Sequence, residues 1–145
     1  MDLYRENLMD HYKNPRNYGR PTDWKTKYIW EEVNPSCGDR VGVALKVVRR
    51  RSDKGATSTI TGGVEEDGEV EEARFWGEGC VVSMAAASML TEYIKRKSLK
   101  EVKRMAGEEV LELLGGEQMI PAARLRCALL GLEAMKRAIG CRNSA

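Results

Sequence analysis

Residues 41–48 read VGVALKVV, and their alternation decides the fold. Val41, Val43, Leu45 and Val47 recur at every second position, the period of a strand that buries one face. Upstream, Tyr28 to Val33 reads as a preceding strand, and downstream Val70 to Trp76 reads as a third. The polar, glycine-marked stretch between the last two, with Ser52-Asp53-Lys54-Gly55 and Glu65-Glu66-Asp67-Gly68, is expected to form a long hairpin excursion.

After Gly77-Glu78-Gly79-Cys80 the period becomes helical. Val82, Ala86, Met89 and Tyr93 fall at helix spacing before Lys95-Arg96-Lys97, a basic run that suits a helix C-terminus. Ser98 with Glu101 three residues on is a capping box, and Leu99, Val102, Ala106 and Val110 continue an apolar face as far as the stop at Gly115-Gly116. Pro121 suits a first helical turn, and Leu125, Ala128, Leu132, Met135 and Ile139 predict a last helix. At the other end, Tyr4, Leu8 and Tyr12 share one face of a short helix over residues 3–12, which the prolines and glycine of Asn14 to Pro21 terminate. Strands first and helices after predict one α+β domain over 1–145, a small antiparallel three-stranded sheet packed against a cluster of helices.

Composition excludes several functions. The chain has 145 residues and is 42% hydrophobic, enough for one core without disulfide or metal staples. A formal net charge of +2 gives no footprint for nucleic acid or an anionic membrane. No apolar run approaches a membrane span, and MDLYRENLMDHYKN carries charges where a signal peptide is apolar, so the expected location is the cytoplasm. In that reducing compartment the four cysteines read as metal ligands or reactive thiols.

Three of them stand at element ends. Cys37 lies in the turn Asn34-Pro35-Ser36-Cys37-Gly38-Asp39 between two strands. Cys80 opens a helix, where the positive end of the backbone dipole stabilises a thiolate. Cys127 begins the last helix, about 200° around the axis from Leu125 and so expected to point away from the main apolar stripe. Asp39, two residues past Cys37, completes a set of three thiols and a carboxylate that only tertiary structure can assemble, since no two cysteines form a CxxC pair. Thiolates select zinc, copper(I) or iron–sulfur units, while the harder carboxylate holds such centres weakly, so the set should bind and also release. Cys141 lies about 21 Å beyond Cys127 if the helix runs on, too far to share a metal, and reads as a small hydrophobe. His11, the single histidine, would have to serve any Cys–His dyad, and a hydrolase therefore lacks a plausible base.

The stretches Tyr4 to Asn17, Asn34 to Asp39, Gly77 to Cys80 and Pro121 to Cys127 together resemble the U-type iron–sulfur cluster scaffold family, which includes IscU, SufU and the N-terminal domain of NifU. The resemblance implies a scaffold, a carrier rather than a true enzyme, on which a [2Fe–2S] cluster is built from iron and sulfur and passed to apo iron–sulfur proteins. A pyridoxal-phosphate cysteine desulfurase would supply the sulfur as a persulfide, with Cys127 or Cys37 accepting it. Cys37, Asp39, Cys80 and Cys127 match the family's ligand positions. Arg126 stands where IscU-type chains carry a histidine, a SufU-like trait that implies an alternative, a zinc-bound sulfurtransferase that accepts persulfide from its desulfurase and activates it. The short segment between Cys80 and Cys127 lacks the SufU insertion and resembles IscU. Ile120-Pro121-Ala122-Ala123-Arg124 departs from the Leu-Pro-Pro-Val-Lys motif read by a dedicated Hsp70 chaperone, so that chaperone is left out of the expected partners.

Overall fold

A computed structural model describes residues 2–35, 38–50, 57–59 and 68–140. Among the described residues four strands, β1 (Ile29–Val33), β2 (Arg40–Arg50), β3 (Thr57–Thr59) and β4 (Gly68–Glu78), pair antiparallel. β2 is the axis of the sheet. β1 pairs with its first half and β3 with its last residues, while β4 runs along nearly its whole length, with one register shift at Lys46/Val47. β1 and β4 occupy opposite edges of β2 where Gly42 faces both Glu31 and Trp76, so the sheet is three strands across there. Residues 51–56 and 60–67 of the expected hairpin excursion lie outside the described residues.

The alternating positions of β2 are buried as expected, but Gly42, Ala44 and Val48 between them are buried too, so the strand is covered on both faces instead of one. Val41, Val43, Leu45 and Val47 are at most 1% exposed and join Phe75 and Val70 of β4 in the core. The described residues also form five α-helices, α1 (Asp2–Lys13), α2 (Val81–Tyr93), α3 (Leu99–Arg104), α4 (Gly107–Leu113) and α5 (Leu125–Ile139). On the other face of β2, the Trp76 indole covers Gly42 so closely that a Cβ there would fall on its ring, and the indole N–H donates to Glu31 Oε2 at 2.7 Å.

α2 packs against α1, α5 and β4, so it is buried almost all round, from Ser83 through Thr91, rather than along one stripe. α5 packs against α2, β1 and β2, and the same crowding corrects the expected orientation of Cys127. It is 2% exposed on the buried side, while Leu125 is only half-buried.

Two further corrections come from polar chemistry. On α1 the expected apolar face is largely in water, with Tyr4 51% and Tyr12 40% exposed, and the buried residue is His11 at 5%. Its Nδ1 lies 2.7 Å from Ser88 Oγ on α2, and the same oxygen accepts the Arg16 backbone N–H at 2.9 Å. Asn17, with φ of 60°, donates its side-chain amide to Thr91 Oγ1 at 3.0 Å. The Asn14–Gly19 segment is thereby sewn to α2, and Gly19 N–H and Asn17 C=O pair with Phe75 on the edge of β4. The single helix expected from Ser98 to Val110 is two. The Ser98–Glu101 box caps α3 with both reciprocal bonds, Met105 leaves helical geometry at ψ 134°, and Glu109 accepts from Ala106 N–H to start α4. Among the described residues no helix is long and apolar enough to cross a membrane.

Candidate metal centre

Three element ends meet at the sheet end where β2 begins and β4 finishes. Asp39 precedes β2, Cys80 is the N-cap of α2 and Cys127 lies in the first turn of α5. Each reaches its place for a local reason. Asn34 N–H donates to the Asp39 carbonyl and Gly38 N–H to the Asn34 carbonyl, both at 2.8 Å, closing the β1–β2 turn. Gly38 takes φ of 80°, in keeping with the turn expected here, and glycine is the residue that turns this way without strain. β4 pairs Glu78 with Arg40, which brings Gly79 and Cys80 beside Asp39. Pro121 leads through a 3₁₀ turn over Ala122–Arg124 into α5.

The ligand atoms of Asp39, Cys80 and Cys127 all lie within 4.8 Å of one another. Cys80 is half-buried and Cys127 buried. Asp39 is 8% exposed, and its Oδ2 accepts the Cys80 backbone N–H at 3.4 Å, so the carboxylate sits at the orphan donors of the α2 N-terminus. Cys37 falls outside the described residues, and its membership of the set rests on the sequence.

Two features escaped the sequence reading. Gly79 is required by space: a Cβ there would fall on the Ser83 hydroxyl and stand 3.3 Å from the Asp39 carboxyl carbon. Ser83 is buried and donates to the Cys80 carbonyl at 3.1 Å, which ties the cysteine's own peptide into the first turn of α2. Arg124 is the second. Its pKa is held above the ordinary arginine value by a hydrogen bond to the Cys127 side chain, then by the charges of Cys80 and Cys127 and of Asp39. A cation thus stands near two sulfurs and a carboxylate, and offsets the negative charge concentrated there. The only sequence signal was its place three residues before Cys127, one helical turn away. His11 has no part in the site; burial first, then Arg16, lowers its pKa.

The donor set suits a soft metal. Zinc–thiolate bonds of about 2.3 Å in a tetrahedron place ligand atoms about 3.8 Å apart, within reach of small side-chain movements from the observed spacing. Two thiolates with one carboxylate also fit iron bound to sulfur, with the carboxylate the weakest donor.

The family described as "NifU-like N terminal domain" matches residues 3–142. The zinc-dependent sulfurtransferase SufU of Bacillus subtilis is 35% identical over 94% of this chain and 89% of its own length. The iron–sulfur cluster assembly scaffold protein IscU of Escherichia coli K12 is 30% identical over 94% of this chain and 91% of its own. The N-terminal part of a nitrogen-fixing NifU-like protein from Brucella abortus has the same fold, with a TM-score of 0.62 at 17% identity over 99% of this chain and 97% of that one. The chain therefore belongs to the NifU-like N-terminal domain family.

Proposed function

We propose that this chain is an iron–sulfur cluster assembly scaffold that works in the cytoplasm. It accepts sulfur from a pyridoxal-phosphate cysteine desulfurase, assembles a [2Fe–2S] cluster with iron, and passes that cargo to apo iron–sulfur proteins. The observation that carries the reading is the convergence of Asp39, Cys80 and Cys127 in a chain whose relatives include named scaffolds. Cys37 supplies the fourth ligand. In sulfur transfer, the thiolate of Cys127 or Cys37 attacks the terminal sulfur of the donor persulfide; a new S–S bond forms on this chain and the donor cysteine leaves as its thiolate. Arg124 offsets charge at Cys127, and the Asp39 carboxylate is the ligand that a recipient's thiol displaces most readily.

A second reading is supported by the compactness of the set. Donor atoms within 4.8 Å suit one tetrahedral ion, and the Bacillus relative is named as zinc-dependent. In this reading zinc holds the thiols, one is released to accept persulfide, and the desulfurase is activated.

Anaerobic incubation of zinc-free protein with iron, cysteine and a desulfurase separates them. The scaffold reading expects a visible [2Fe–2S] absorption spectrum that moves to an apo-ferredoxin on mixing. Folded, zinc-free protein that never develops the spectrum, together with strong desulfurase activation by the zinc form, overturns it in favour of the second.

A further inference from the structure

The face formed by the start of α1 and the outer side of α4 is unlike the rest of this near-neutral chain. A groove of about 550 Å³ runs between them, walled by Tyr4 on one side and Glu108, Leu111 and Glu112 on the other, above the Gly115-Gly116 turn. Both glycines have positive φ, and a Cβ at Gly115 would stand 2.8 Å from the Tyr4 side chain, so the ring is seated directly on the turn. On the far side of the same ring a second depression is lined by Leu3, Glu6, Asn7 and Asp10. Tyr4 lines both depressions and makes of them one trough with the ring as its ridge, with Leu3 76% and Tyr4 51% exposed.

The charge along the trough has one sign. Neither lining contains a lysine or arginine. Asp10 is paired with Arg16 at 2.6 Å, but among the described residues no cation lies within ion-pair distance of Glu6, Glu108 or Glu112. Helix stability accounts for Glu108, in the first turn of α4, but not for Glu112, a like charge one turn on that stands in the last turn, where the backbone dipole disfavours an anion. An exposed aromatic ring flanked by unpaired carboxylates complements a cationic side chain, which such a ring attracts through its face.

We propose that this trough is the docking site for a basic segment of a protein partner, with an apolar side chain laid beside Leu111 and lysine or arginine side chains over Tyr4 and between Glu108 and Glu112. Two depressions on either side of one ring accommodate a length of chain, which a single ion would not fill. Nucleic acid and anionic membrane are repelled by the same carboxylates. None of Asp39, Cys80 and Cys127 lines either depression, and the site does not depend on what they hold.

The test is fluorescence anisotropy of a labelled synthetic peptide of alternating lysine and leucine, titrated with the full chain, beside a control peptide with glutamate for lysine. The lysine peptide is expected to bind saturably and the glutamate peptide not at all. Glu108→Gln/Glu112→Gln should weaken binding about fivefold to tenfold, as should high salt. Glu71→Gln/Glu72→Gln, which removes the same charge from exposed positions on β4, should bind like the unaltered chain. Equal affinity for the Glu108/Glu112 variant, or equal weakening by the β4 variant, overturns the site. Sedimentation in which the unaltered chain self-associates and the Glu108/Glu112 variant is monomeric assigns the trough to a second copy and overturns the proposed partner.

Discussion

Replacing Ser88 by alanine tests how the first helix is held to the helix that carries Cys80. Ser88 is fully buried, and its Oγ serves two partners, His11 Nδ1 at 2.7 Å and Arg16 N–H at 2.9 Å. Alanine removes little volume but leaves a buried imidazole nitrogen and a part-buried backbone donor without that oxygen. At about 1–1.5 kcal/mol for each group left unsatisfied, the expected loss is about 2–3 kcal/mol. For a chain of this length, that lowers the midpoint of thermal unfolding by roughly 5–10 °C. Thermal melts followed by circular dichroism near neutral pH, on metal-free protein, measure it directly. A double-mutant cycle with His11→Ala should give a coupling of about 1 kcal/mol, since each change removes the same contact. A Ser88→Ala midpoint within a degree of the unaltered chain, with no coupling to His11, would refute the claim that this polar junction docks α1.

Three further outcomes follow from the same geometry. Burial, then Arg16, depresses the His11 pKa below its unfolded value near 6.5, so the unfolded chain binds the extra proton first. Stability should be intact above about pH 6.5 and fall below it by at most about 1.4 kcal/mol per pH unit, and His11→Gln should flatten that slope in denaturant titrations. Gly79→Ala should weaken zinc binding about tenfold or more by displacing Ser83 and crowding the Asp39 carboxylate, and adding Ser83→Ala should restore part of it in a chelator competition. Asp39→Ala should slow cluster release to an apo-ferredoxin, because the exchangeable carboxylate is gone; unchanged or faster release would contradict its role.

The sheet and the candidate metal centre were legible because their signals are periodic or chemically specific. Alternation in residues 41–47 placed the buried strand, and the soft-ligand chemistry of Cys80 and Cys127 with Asp39 identified three residues that the fold brings within 4.8 Å. Misreadings occurred where burial is decided by neighbours far away in sequence. Tyr4 and Tyr12 looked like a core face, but α1 meets a serine and threonine row on α2 and presents His11 to it. The break between α3 and α4 was hidden because the apolar period continues across it, and Glu109 caps a residue with no capping side chain of its own. Arg124 and Ser83 entered the site through contacts that sequence spacing does not specify, and Gly79 through a clash that exists only once β4 and α2 are in place.

The central claim is that Asp39, Cys80 and Cys127 hold one metal centre together. X-ray absorption at the metal edge, on protein purified anaerobically and loaded with either zinc or iron and sulfur, measures that shell. The account predicts a sulfur-dominated shell with one oxygen in the unaltered chain, loss of that oxygen in Asp39→Ala, and at least tenfold weaker metal retention in Cys80→Ala and Cys127→Ala. Undiminished retention in both cysteine variants, or a shell without sulfur, would contradict it.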